Sequence, residues 1–64
     1  MKTIEVIAAG YSSSGKDMGD LVNEGILKKD YSNRDIIWTN ISKDVVVKNE
    51  YDTLLPGESV TWEK

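Results

Sequence analysis

Asp35-Ile36-Ile37-Trp38-Thr39-Asn40-Ile41 sets Ile36 and Trp38 against Ile37, Thr39 and Ile41, the two-residue period of a strand with two different faces. Ser42-Lys43-Asp44 reads as a turn, and Val45-Val46-Val47 as a compact β-branched strand. The two runs are close enough in sequence to predict a hairpin. Downstream, Tyr51 to Leu55 reads as a short strand or extended link. Pro56-Gly57 suits the centre of a type II turn, since proline presets the first φ and glycine accepts a positive second φ. Glu58 to Glu63 then returns as a strand, with Val60 and Trp62 on one face and Ser59, Thr61 and Glu63 on the other.

Upstream, Lys2 to Ala9 predicts a strand with Ile4, Val6 and Ala8 on one face and Thr3, Glu5 and Ile7 on the other. A loop, Gly10 to Lys16, leads to the one helix expected, from Asp17 to about Lys29. Met18, Leu21, Val22 and Ile26 would line its buried face. Asp17 is its candidate N-cap, and Asp20 complements the positive end of the helix dipole. Gly19 and Gly25 each cost roughly 1 kcal/mol inside a helix, so the element is expected to be short or broken. The fold class that follows is α+β or mostly β: a small antiparallel sheet or partial sandwich of four to five strands with one short helix, residues 1–64 forming a single domain.

The chain has 64 residues, a net charge of −3, and neither His nor Cys. A domain this small buries only roughly 60% of its unfolded surface, so contact with a partner is one way to bury more. Without Cys or His there is no disulfide and no conventional structural zinc site, and no cofactor or metal is expected. Acidic and basic residues are mixed, and Lys28, Lys29 and Arg34 are diluted by Asp30 and Asp35, so a nucleic-acid surface is not expected. No apolar run approaches the ~20 residues of a membrane span. Met1-Lys2-Thr3-Ile4-Glu5 enters the alternating pattern directly, which predicts a cytoplasmic protein, or a virion component if phage-encoded. Asn40-Ile41-Ser42 matches the glycosylation pattern and is read as an ordinary turn.

Several local patterns could carry chemistry. Gly10-x-x-x-x-Gly15-Lys16 lies between a strand and a helix, the context of a phosphate-binding loop, and makes Gly10, Ser14, Gly15 and Lys16 a candidate anion site. Asp17 follows Lys16 where a magnesium-holding hydroxyl would stand, so the favoured reading is a Gly/Ser-rich loop with a solvated lysine. Ser13-x-x-Lys16 matches a serine–lysine catalytic spacing, yet that chemistry needs a much deeper pocket. Asp17, Asp20 and Glu24 lack the alternate spacing of a calcium loop and read as dipole complements. Trp38 and Trp62 are core if they share an inner face and anchors if they turn outward. Val45-Val46-Val47 is apolar on both faces, which calls for cover on both sides or pairing with another chain. Trp38, Val45, Val47, Tyr51 and Trp62 are therefore the candidate interface residues.

Two resemblances accompany these patterns. Ser14-Gly15-Lys16-Asp17 resembles the phosphate loop of phage-type deoxynucleoside monophosphate kinases. The cadence from Ile36 to Trp62, with Asn40-Ile41-Ser42 and Leu54-Leu55-Pro56-Gly57-Glu58-Ser59, resembles short immunoglobulin-like sandwich modules, including accessory and decoration domains of phage virions. That resemblance implies a scaffold of strands and an adaptor role, and transfers no functional residue. The functional expectation is a non-enzymatic protein-binding or assembly module, of the phage-accessory kind, acting as an oligomer or docked on a larger protein. The alternatives are a small inhibitor of a host enzyme and a minimal anion- or nucleotide-binding protein using Gly10 to Lys16.

Overall fold

The computed structural model describes residues 1–7 and 16–63. Strand β1 (Lys2–Glu5) precedes helix α1 (Met18–Asn23), and five strands follow: β2 (Leu27–Ser32), β3 (Asp35–Asn40), β4 (Val45–Lys48), β5 (Thr53–Leu54) and β6 (Ser59–Trp62). They form two three-stranded sheets, ordered β1-β4-β5 and β2-β3-β6. The fold is thus mostly β with one short helix, as the alternating pattern predicts. Among the described residues no helix is long and apolar enough to cross a membrane.

The helix begins where expected and ends six residues early. Asp17 caps it by accepting from the Asp20 amide at 2.9 Å, while the Asp20 carboxylate accepts from the Asp17 amide at 3.1 Å. It stops at Asn23, because the next turn closes into a Schellman motif. Gly25 N–H donates to Val22 O at 3.1 Å and Ile26 N–H to Leu21 O at 2.9 Å, with Gly25 at φ 80°. The expected helical extension to Lys29 is instead the start of β2, whose register against β3 runs from Leu27↔Asn40 to Ser32↔Asp35. Cross-strand pairing outweighs the helical spacing of Ile26 with Leu21 and Val22. The β2–β3 hairpin turns through Asn33-Arg34, with Asn33 at φ 57°, a conformation asparagine tolerates better than most residues.

The hairpin expected between residues 35–41 and 45–47 does not form. β3 lies between β2 and β6, whereas β4 lies between β1 and β5. β1 runs parallel to β4, Lys2↔Val45 to Glu5↔Lys48, a pairing of distant segments that no local pattern announces. Among the described residues six strands replace the four or five expected, and Ala8 and Ala9 of the predicted first strand lie outside them.

The crossing from one sheet to the other is organised by Asn40, which is fully buried. Its Nδ2 donates to Val45 O at 2.7 Å and Leu54 O at 3.0 Å, carbonyls on β4 and β5. Its Oδ1 accepts from Ser42 N at 3.0 Å and Ser42 Oγ at 2.6 Å. Both amide hydrogens and both oxygen lone pairs are used, the full capacity of the group. The Asn-x-Ser triplet is therefore a turn built around a buried amide, with no room on that nitrogen for a glycan.

Opposite Asn40 the expected type II turn is present: Glu58 N–H donates to Leu55 O at 2.9 Å, and Gly57 has φ 87°. Gly57 also opens a bulge. Its N–H donates to Asn40 O at 2.8 Å, while Asn40 N–H donates to Glu58 O at 2.9 Å, so two residues oppose one. The core between the sheets is Val6, Met18, Leu21, Leu27, Trp38, Val47 and Leu54, flanked by Ile4, Val22, Ile26, Ile36, Val45, Val60 and Trp62.

Three substitutions measure these constraints. Asn40→Ala is expected to cost about 3 kcal/mol or more, because it strands buried carbonyls and an amide. Asn40→Asp, of the same shape, should cost at least as much, since a carboxylate has no N–H for the Val45 and Leu54 carbonyls. Urea denaturation reads both, and a near-neutral Asn40→Asp would remove the donors from this account. Gly25→Ala should cost about 1 kcal/mol in the same assay through its left-handed φ alone, as nothing lies within 4 Å of an added Cβ.

Candidate functional site

The five interface candidates do not share one surface. Trp38 and Val47 are core residues, at 5% and 1% exposure. Val45 and Trp62 are half-buried and pack on that core, and Tyr51 stands 79% exposed in the turn between β4 and β5. Among the described residues, Met1, Tyr31, Ile41 and Leu55 are the other exposed large apolar or aromatic side chains. Ile41 and Leu55 each follow a partner of the Asn40–Leu54 hydrogen bond, so both emerge where the sheets meet.

The two tryptophans do share an inner face. Their ring centroids are 5.3 Å apart at an interplanar angle of 62°, an edge-to-face contact. Trp62 Nε1 donates to Asp52 Oδ2 at 3.0 Å, which ties the end of β6 to the β4–β5 turn. That turn is held by Asn49, whose Oδ1 accepts from the amides of Tyr51 (2.8 Å) and Asp52 (2.7 Å). Trp38 Nε1 is buried without a hydrogen-bond partner among the described residues. Such a group costs about 1–3 kcal/mol, set here against the burial of a large ring. Lys29, opposite Trp38 in the β2–β3 register, places its Nζ 5.1 Å from the Trp38 centroid and 5.4 Å from that of Tyr31. Its ammonium and methylene stem thereby roof the aromatic end of the sheet.

Of the candidate anion loop, Gly10, Ser14 and Gly15 lie outside the described residues. Lys16 is described, and its Nζ is 2.9 Å from Glu24 Oε2 and 3.0 Å from Oε1. An anion drawn to this end of α1 would meet the Asp17 and Asp20 carboxylates of the capping box and a lysine already paired. A cleft of about 210 Å³ opens at the carboxyl ends of β1 and β4, lined by Glu5, Val6, Lys48, Asn49 and Glu50. Its charged rim holds both signs, and among the described residues no group of His, Cys, Asp or Glu is placed to hold a metal ion.

The sheet edges are the other feature with binding potential. The bond from Ile41 N–H to Ile26 O fixes the alternation of the β2–β3 ladder, so Lys28, Asp30 and Ser32 bond to β3. The bond from Asn40 N–H to Glu58 O does the same for β6. Val60 and Trp62 bond to β3, and the backbone groups of Ser59 and Thr61 turn outward. On the solvent face of that sheet, Thr39 and Ser59 hydroxyls meet at 2.9 Å.

Sequence reasoning missed Asn40, Asn49 and Asp52, the three polar residues that join the sheets and their turns. A signal was present for one: Asn40 interrupts a strand at a position in phase with Ile36 and Trp38, where an apolar residue is expected. No protein-family model matches the chain, and no curated protein or solved structure matches it either.

Removing the bond that reaches Trp62 should be measurable. Asp52→Ala is expected to lower stability by about 1 kcal/mol, against less than about 0.5 kcal/mol for Asp44→Ala on the surface. Tryptophan-monitored urea unfolding compares the two, and equal losses would mean that the indole bond contributes nothing.

Proposed function

We propose that this chain is a non-enzymatic protein-binding or assembly module, acting as an oligomer or docked on a larger protein. The observation that supports this best is the pair of open sheets. Each has three strands, so among the described residues the outer strands of both carry backbone donors and acceptors that no neighbouring strand takes up, the Ile7–Asp17 bridge just beyond β1 apart. Such edges accept a further strand, with main-chain bonds supplying affinity and alternate side chains supplying selectivity. Tyr51, Ile41 and Leu55 add exposed apolar surface of the kind that anchors interfaces. Among the described residues the buried apolar core has seven members, which is small, and association adds burial that the single chain lacks. The anion-binding alternative has less behind it, since Lys16 is engaged by Glu24 and two carboxylates stand at the helix start.

Native mass spectrometry across protein concentration, joined to pull-down with the tagged chain, tests the proposal. A discrete oligomer or a stoichiometric complex is expected. A chain that stays monomeric at every concentration and retains no partner would end the reading. A nucleotide adduct that disappears in Lys16→Ala would move the function to the anion loop.

A further inference from the structure

The four outer strands are not equally protected against pairing. β1 carries Lys2 and Glu5, and β2 carries Lys28, Lys29 and Asp30, with Lys28 and Asp30 paired at 3.8 Å. Charged side chains on an edge oppose addition of another strand. β5 has two residues, too few to template one. β6 is Ser59-Val60-Thr61-Trp62, four residues with no charge and with three strong strand formers. Its backbone at Ser59 and Thr61 faces away from β3. Glu58, just before it, is folded back on the Pro56-Gly57 turn, where its Oε1 accepts from Leu55 N–H at 2.8 Å.

We propose that β6 is a self-association edge, on which a second copy of this chain pairs its own β6 antiparallel about a two-fold axis passing through Val60. The proposal rests on the assembly reading above and names its partner and register. Two-fold pairing of antiparallel strands joins residues whose numbers sum to a constant, and the axis at Val60 sets Ser59 opposite Thr61 of the other copy, twice. Ser59 and Thr61 are the β6 residues whose backbone groups point outward, so this register uses the outward groups of both and forms about four main-chain hydrogen bonds. The neighbouring in-phase registers set Thr61 opposite Gly57, whose N–H is already held by Asn40 O, or Ser59 opposite the charged Glu63. On the solvent face, Thr61 of the second copy extends the hydroxyl row that Thr39 and Ser59 begin. On the inner face, the two half-buried Val60 side chains meet as a close, non-hydrogen-bonded pair. The result is a continuous six-stranded sheet whose new outer edges are the two charged β2 strands, so addition stops at the dimer.

Thr61→Lys tests the edge without touching the interior, since the Thr61 side chain is exposed and its backbone bonds nothing among the described residues. Sedimentation equilibrium of the wild-type chain is expected to show a dimer, with the dissociation constant raised at least about tenfold in Thr61→Lys. Thr3→Lys, on the β1 edge, should leave it unchanged. Hydrogen exchange should show the Ser59 and Thr61 amides gaining protection as concentration rises. Circular dichroism of Thr61→Lys should match the wild type, and if that variant unfolds, Ser59→Lys serves in its place. A dimer indifferent to both lysines, or one protecting β1 or β2 amides instead, overturns this edge while leaving the assembly reading standing. A strict monomer overturns the edge, and only the further failure to bind any partner removes the assembly reading with it.

Discussion

The carboxamide of Asn40 is the constraint on which the relation between the two sheets depends. It sits at the end of β3, where the chain must leave one sheet and enter the other, and it is fully buried. A side-chain amide can bond four groups, and here those groups belong to Ser42, Val45 and Leu54. The backbone of the same residue bonds to Gly57 and Glu58. One residue therefore fixes the path of the 41–44 turn, the position of β4, the position of β5 and the bulge that starts β6. Inside a low-dielectric core such a network has a steep alternative, because each unmade bond leaves a desolvated polar group. The arrangement is specified by exclusion as much as by attraction.

A second tie lies further along β6. Trp62 reaches from the strand to Asp52 in the β4–β5 turn, and its ring meets the edge of Trp38. Between these two ties the interior holds, among the described residues, seven buried apolar side chains, with Leu21 and Met18 supplied by a helix of six residues. A helix this short has no stability of its own. It persists because both ends are chemically closed, by a capping box at Asp17–Asp20 and by a Schellman motif at Gly25, and because Met18 and Leu21 are covered. The polar ties and the small core depend on one another: the ties set the register, and the core excludes water from them.

The same economy leaves the perimeter open. Two three-stranded sheets have proportionally more edge than one large sheet, and much of that edge is defended by Lys2, Glu5, Lys28, Lys29 and Asp30. The undefended strand is the one continuous with the Pro56-Gly57 turn and with Asn40. Of the outer strands, β6 joins four residues to a complete absence of charged side chains.

Much of the local structure was legible in the sequence. The alternation of Asp35 to Ile41 and of Glu58 to Glu63 assigned faces that the fold keeps, with Trp38 and Val60 inward and Thr39 and Ser59 outward. Pro56-Gly57 announced its turn, and Asp17 its cap, because these depend on φ preferences and on bonds within a few residues. Gly25 was seen as a cost to a helix, when its left-handed φ makes it the helix's end. What only tertiary structure decided is which strands are neighbours. The parallel pairing of β1 with β4, the conversion of Leu27 to Lys29 from helix to strand, and the separation of β3 from β4 all depend on residues far apart in the chain. Periodicity reports which side of a segment is apolar. It carries no information about which distant carbonyls a buried asparagine will bind, and in this chain those carbonyls settle the topology.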